Sequence, residues 1–382
     1  MKSGVSFSDH QEAFYAGAQA TRGAIEQSGI PTLLVVFTTV SYDSKQLLAG
    51  IKSVANNAKI IGFCCGGIIA GDEIHQRGVG ICSLSGDFRV MTMLLKGLSE
   101  NPWGVGCQAG KKLAEQDIEK GSIIVLPDGF QTNMSEMLRG LYSQIGPDFK
   151  YIGGGAGDNL KFFQTYQFTE NEIASDSMAL AILDGLEICT GIGHGWKPMG
   201  HPITISKVSG KTVFEMDNMP AFHVYSKMLG GISKKEFAYE GMMHPLGFPD
   251  ITGQYIIRDP FSVNDDDSIS FVTEIPSQAV GNIMECNIPD LITTAGTAAY
   301  AALNHVSHPG FALIFDCISR ILLMGDHFKE EIAAVKKALG KDVPLLGALT
   351  FGEIGSYSDV PLLHNKTIVV AVGNASQGTK NV

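Results

Sequence analysis

Apolar residues in this chain come in unbroken runs rather than in alternation. "LLVVFT" (33–38), "IIVLPD" (123–128), "ALIFDC" (312–317) and "TIVVAV" (367–372) carry them at successive positions. Runs of this length with β-branched residues predict strands covered on both faces, because a strand with one wet face would show polar residues at every second place. Between them the spacing changes to that of helices. Leu47, Leu48, Ile51, Val54 and Ala55 share one helical face, as do Met134, Met137, Leu138, Leu141, Tyr142 and Ile145. Near the N-terminus, Ser8 and Gln11 suggest a capping box for a helix with Phe14, Ala18, Thr21 and Ile25 on one side, stopped by Gly29-Ile30-Pro31.

The elements recur in one order. Strand, helix, strand ending in a glycine turn, and a further strand occur at 33–84, at 123–183 and at 312–372. From the first strand to the first turn glycine the separations are 29 (Leu33 to Gly62), 30 (Ile123 to Gly153) and 35 residues (Ala312 to Gly347). A close glycine pair follows each time: Gly62 with Gly66, Gly153 with Gly157, Gly347 with Gly352. The glycine-rich "YIGGGAGDNL" at 151–160 fails the dinucleotide fingerprint, since the third glycine position falls on Asp158 or Leu160, and no Walker loop precedes Lys111 or Lys211. Its glycines are therefore read as backbone devices at strand ends.

Different material separates the second and third copies. Residues 187–210 read as strands joined by turns, a helix begins near Pro220, "GQYIIRDP" and "DDDSISFVTEIP" read as antiparallel strands, and a small-residue helix places Leu291, Ala295, Ala298, Ala302 and Val306 in line. The fold class expected is mixed α and β: repeated strand-helix-strand-strand units forming sheets flanked by helices, in two interlocked halves divided near residue 220.

With 28 basic and 39 acidic residues, a net charge of −11 and no long basic run, neither nucleic acid nor an anionic membrane is expected as a partner. No apolar stretch reaches the roughly 20 residues of a membrane span, and no signal peptide is evident, so a cytoplasmic location is expected. The seven cysteines are odd in number and lack C-x-x-C spacing, as suits reduced thiols.

"IGGGAGDN", "GHGWKPMG", "KTVFEMDNMPAFHVY" and above all "ALIFDCISR" followed by "VPLLGALTFGEIG" resemble the paired FIST N and FIST C domains, over about residues 32 to 365. The resemblance implies a FIST N-like domain at 32–220 and a FIST C-like domain at 221–365. It also implies a sensory module that binds a small ligand, with amino acids proposed for the family, and a subset described as haem-binding nitric oxide sensors that regulate histidine kinases. No kinase, cyclase or F-box segment accompanies these domains here, so any signal is expected to pass to a separate partner such as a histidine kinase.

If the carboxyl ends of the repeated strands converge, a cleft forms there. It would gather Cys64, Cys65, Asp158, Asn159, Cys317, Arg320, Thr350 and Glu353 as ligand-binding candidates. Arg320 suits a carboxylate and Glu353 an amino group, the two poles of an α-amino acid; alternatively the two simply pair with each other. Asp158 and Asn159 also suit a tight turn. Cys65 or Cys317 raises a second possibility, a thiol-dependent enzyme acting on a small polar substrate, although no histidine is tied to either thiol by a sequence signature. Of the ten histidines, His201, His244 and His308 precede prolines, and His305 lies three residues before His308. His194, flanked by glycine in "GIGHGW", is the candidate axial ligand should haem bind, without C-x-x-C-H attachment.

Overall fold

The computed structural model describes residues 1–131 and 133–375, and its architecture is mixed α and β with four sheets. Three of the sheets share one plan. Each is centred on a parallel pair: Leu33–Thr38 with Lys59–Cys64, Gly121–Pro127 with Phe149–Gly154, and Pro309–Cys317 with Leu345–Thr350. On one side of each pair runs an antiparallel strand, Val79–Ser85, Ser177–Asp184 or Ile368–Asn374. Beyond it lies an edge strand, Lys2–Ser8, Arg89–Lys96 or Ile188–Gly193.

The other side of each parallel pair is closed by a strand from a different unit. Ile68–Ala70 of the first unit joins the third sheet, Gln167–Thr169 of the second joins the first, and Glu353–Gly355 of the third joins the second. The exchange is cyclic. Both halves of the sequence therefore build shared sheets, the interlocked arrangement expected from the doubly covered strands. Residue 220 lies at the end of a short strand, Met219–Pro220, that pairs with Thr212–Met216 within the fourth sheet.

Alternate residues of each central strand serve two cores, which is why the apolar runs are unbroken. Leu33, Val35, Phe37, Ile124, Leu126, Leu313 and Phe315 point into one common core between the three sheets. The ring of Phe37 meets Phe63 and Phe315 edge-on at 5.2 and 5.6 Å, tying the first sheet to the third. The intervening residues face helices: Leu34 and Val36 pack with Ala13–Ser28 and Ser44–Ala55, Ile123 and Val125 with Pro102–Ala114 and Met134–Ile145, and Ala312 and Ile314 with Ile288–Ala302 and Phe328–Leu339.

The repeat is longer than the sequence reading drew it. Each unit begins with its edge strand and a first helix; in the third unit the strands and helices of 197–285 intervene and form the fourth sheet with a separate core around Ile203, Tyr225, Phe237 and Ile283. The capping box at Ser8 is corrected as well. Ser8 ends a strand and the helix starts at Ala13 without a side-chain cap; Ala18 and Thr21 are buried as expected, together with the small-residue stripe Ala16, Ala20 and Ala24. Phe14 is 36% exposed.

Backbone hydrogen bonds join the glycine turns of all three units. Gly157 N–H donates to Cys64 O (3.0 Å), Gly155 N–H to Gly352 O (2.8 Å), Phe351 N–H to Gly155 O (3.0 Å) and Gly66 N–H to Leu349 O (2.9 Å). At Gly155 a Cβ would stand 2.3 Å from Phe351 O and 2.8 Å from Gly129 Cα. Gly155→Ala is therefore expected to destabilise the fold by about 3 kcal/mol, read as a lowered chemical-denaturation midpoint; an unchanged midpoint would contradict the close approach.

Candidate functional site

Strand ends from all three units meet where the sequence placed a cleft. A groove of about 690 Å³ opens there, lined by Gly66, Ile74 and Gln76, by Asn159 and Leu160, and by Ile318, Ile321, Leu322, Asp326, Phe328, Lys329 and Leu349. Of the eight ligand-binding candidates, Asn159 lines the groove; Cys64, Cys65, Asp158, Cys317, Arg320, Thr350 and Glu353 are buried and do not.

Asp158 is 2% exposed and builds the rim rather than facing the groove. Its carboxylate accepts from three consecutive backbone N–H groups, of Lys161 (2.8 Å), Phe162 (3.0 Å) and Phe163 (2.9 Å). That anchorage holds Leu160 and Phe162 at positive φ, 61° and 52°, conformations that side chains larger than glycine seldom adopt.

Cys64 and Cys65 are buried. Cys64 Sγ accepts from Tyr166 N–H (3.1 Å), and Cys65 Sγ–H has Gly67 O at 3.1 Å. Burial pushes the Cys64 thiol well up, the Cys65 thiol up to about 12, and the Cys317 thiol up as well, the last helped by the nearby Glu353 carboxylate. Nucleophilic cysteines need the opposite shift. Cys317 Sγ instead lies 3.1 Å from Ser319 Oγ.

Arg320 is fully buried, and its partners differ from those expected. Its Nε donates to Glu331 Oε1 (2.9 Å) and lies 3.3 Å from Asp316 Oδ1. Its other nitrogens donate to the carbonyls of His194 (2.6 Å), Lys366 (3.0 Å) and Leu291 (3.3 Å). The guanidinium lies over the Trp196 ring at 5.8 Å, with Lys366 Nζ at 5.6 Å from the same ring and 3.1 Å from Asp259 Oδ1. Glu353, also fully buried, accepts from Thr350 Oγ1 (2.9 Å) and Thr367 N–H (3.3 Å) and does not pair with Arg320. Burial raises its carboxyl to about 8, and burial beside Glu331 holds Asp316 well above the usual range, so these carboxyls tend to be protonated. Asp316 stands inside the quoted "ALIFDCISR" without having been singled out, and Glu331 and Lys366 gave no signal in sequence; only the packed strands bring the three together.

His194 does not fit an axial haem ligand in this structure. Its Nδ1 accepts from Trp196 N–H (3.0 Å), its carbonyl is held by Arg320, and it lines neither this groove nor the cavities described below. Burial and the Arg320 charge lower its pKa to about 4.

Residues 32–219 match the FIST N domain and residues 221–356 the FIST C domain, nearly the whole chain. The chain belongs to the FIST family. FIST domains are generally signal-transduction sensors that bind small ligands. In this FIST protein "GHGW" meets "FDCISR" directly, the His194 carbonyl accepting from Arg320, while Glu353 of "FGEIG" lies in a separate buried cluster with Thr350. Relatives include an uncharacterized protein of Methanocaldococcus jannaschii, 27% identical over 58% of this chain and 48% of that protein. The chain thus spans about half the length of that relative. An uncharacterized protein of Mycobacterium tuberculosis is 21% identical over 97% of this chain and 99% of its own. Among solved structures, a chorismatase aligns over 98% of both chains with a TM-score of 0.35 and 9% identity, and PurL of T. maritima complexed with ADP aligns over 97% of this chain and 71% of its own with a TM-score of 0.24 and 10% identity. Among the described residues, no helix is long and apolar enough to cross a membrane.

Two outcomes are expected. Native protein treated with a thiol reagent near neutral pH should label Cys107, Cys189 and Cys286, which are partly exposed, while Cys64, Cys65, Cys82 and Cys317 react only on unfolding; rapid single-site labelling of Cys65 or Cys317 would contradict this and favour thiol chemistry. Glu353 binds a proton more tightly folded than unfolded. Its contribution is full below about 4.5, the unfolded value, and is lost as pH rises through about 8. Glu353→Gln should therefore flatten the fall in melting temperature between pH 5 and pH 9, and an unchanged slope would count against the raised carboxyl.

Proposed function

We propose that this FIST protein is a cytoplasmic sensory module whose groove at the strand ends receives a small zwitterion of the amino-acid type. The observation that carries the reading is the chemistry of the groove wall. Ile318, Ile321, Leu322, Phe328 and Leu349 offer an apolar bed, and Asp326 and Lys329 stand at its margin with opposite charges, beside the amides of Asn159 and Gln76. A ligand ammonium meets Asp326, its carboxylate meets Lys329, and its side chain lies on the apolar bed.

Cys64, Cys65, Asp158, Cys317, Arg320, Thr350 and Glu353 serve this site indirectly, by holding the strand ends and turns whose neighbouring residues line it. The segments 32–220 and 221–365 act as one receptor, because Gly66 and Asn159 come from the first and Ile318 and Leu349 from the second. A ligand that binds one arrangement of the three turns better than another shifts the population that a separate partner, such as a histidine kinase, reads. The unpaired thiols suit a reducing compartment.

A melting-temperature screen against the common amino acids tests the reading. At a hundred times its dissociation constant the right ligand adds about 2.7 kcal/mol, and Leu322→Trp, at a position 48% exposed, should abolish the gain without unfolding the protein. If no amino acid stabilises, or if Leu322→Trp responds like wild type, the groove is not the receptor. Haemin added in parallel should give no sharp Soret band; a sharp band shifted by nitric oxide would replace this reading with haem-based gas sensing.

A further inference from the structure

The cyclic exchange creates three equivalent seams, each between the edge strand of one sheet and the exchanged strand of the next. Strand register identifies their matching positions. Thr92 lies opposite Ala181, Ala181 opposite Ile124, and Ile124 opposite Ile152, which precedes Gly153. Thr190 lies opposite Ala371, Ala371 opposite Leu313, and Leu313 opposite Leu346, which precedes Gly347. Thr92 and Thr190 are therefore the same position in two units. By the same registers Lys59 and Lys150 each stand three residues before the turn glycines Gly62 and Gly153, and Glu170 and Ser356 each stand three after Gln167 and Glu353, the first residues of their exchanged strands.

One seam is filled by its own carboxylate. Glu170 accepts from Lys59 Nζ (2.8 Å), Thr92 Oγ1 (2.8 Å) and Ile60 N–H (3.2 Å). Burial alone would raise this carboxyl, yet Lys59, Thr92 and the backbone hold it below the usual carboxylate range. In the matching seam Lys150 and Thr190 repeat Lys59 and Thr92, but Ser356 replaces the glutamate. A cavity of about 420 Å³ opens there, lined by Lys150, Thr190 and Ser356 together with Phe149, Tyr151 and Cys189. Ser356 Oγ is shut off from solvent and has no hydrogen-bond partner, and Lys150 turns to a surface pair with Asp359 (2.6 Å). Exposed pairs of that kind are worth little and give way readily. The remaining seam has Pro344, Val5 and Gly71 at these positions and a cavity of about 420 Å³ without the polar trio.

We propose that the seam holding Lys150, Thr190 and Ser356 is a second binding site, for a small monocarboxylate with an apolar body. Its carboxylate takes the place that the Glu170 carboxylate takes in the sister seam, accepting from the Lys150 ammonium and the Thr190 hydroxyl, with the unpaired Ser356 hydroxyl rotating out to join them, while its body lies against the apolar wall at Ile188 and Ala301. Glu170 is in effect a tethered copy of the ligand. The site is separate from the groove, and its existence does not depend on what the groove binds.

The test uses the full chain and simple carboxylates from acetate to phenylacetate at constant ionic strength, with the corresponding amides as uncharged controls. The carboxylates should raise the melting temperature and slow the alkylation of Cys189, which lines the cavity, and the amides should do neither. Ser356→Glu should raise the melting temperature with no ligand present and weaken carboxylate binding at least about tenfold, and Lys150→Ala should weaken it similarly. Leu322→Trp in the groove should leave this response intact, so failure of one site is told from failure of the other. Glu170→Ser should lower the melting temperature, and acetate should restore part of the loss. The proposal is overturned if carboxylates act no better than their amides, or if the response survives in Ser356→Glu.

Discussion

The fold rests on a cyclic debt between sheets: none of the three units completes its own, and each lends a short strand to another. Short strands of this kind contribute few ladder hydrogen bonds, so their hold comes from position between a parallel pair and the next unit. The turns that carry them are bonded to one another through backbone groups of Cys64, Gly155, Gly157, Leu349 and Gly352. Glycine is required at this junction because the backbones approach too closely for a Cβ. Removing one unit would expose an edge in another, which makes the three units a single cooperative body.

Around that junction the chain places two kinds of polar group with opposite purposes. Asp316, Arg320, Glu331, Thr350 and Glu353 are all buried, and the Arg320 guanidinium rests on Trp196 while joining residues far apart in sequence, although both Asp316 carboxyl oxygens lack a hydrogen-bond partner. Breaking such a group from one side leaves an uncompensated charge, so its value lies in specifying one arrangement rather than in net stabilisation. The seams differ. There one polar set is closed by its own glutamate, and the matching set lines a cavity that leaves the same geometry open.

Much of the architecture was legible in sequence because unbroken apolar runs report strands covered on two faces, and three copies at similar spacing report a repeat. The edge strands Lys2–Ser8 and Arg89–Lys96 were not read: Lys2–Ser8 is largely polar, and Arg89–Lys96, though apolar at five of eight positions, lies outside the strand-helix-strand-strand order drawn for the repeat. The convergence of strand ends was correctly anticipated in outline, but the identity of the groove wall was not. Motif residues such as Arg320 and Glu353 attracted attention by their charge, whereas the groove is faced by neighbours such as Ile318 and Leu349, which read as ordinary core. Lys150, Thr190 and Ser356 carry no motif at all; they become visible only when register aligns them with Lys59, Thr92 and Glu170.

Native-state hydrogen exchange of the exchanged strands tests the central claim most directly. If the units close one another's sheets cyclically, amides in Ile68–Ala70, Gln167–Thr169 and Glu353–Gly355 should open with one common free energy, equal to that of global unfolding, and should respond together to denaturant. Should any one of the three exchange through a separate, lower-energy opening while the other two stay protected, the units are independent and the account of a single interlocked receptor fails.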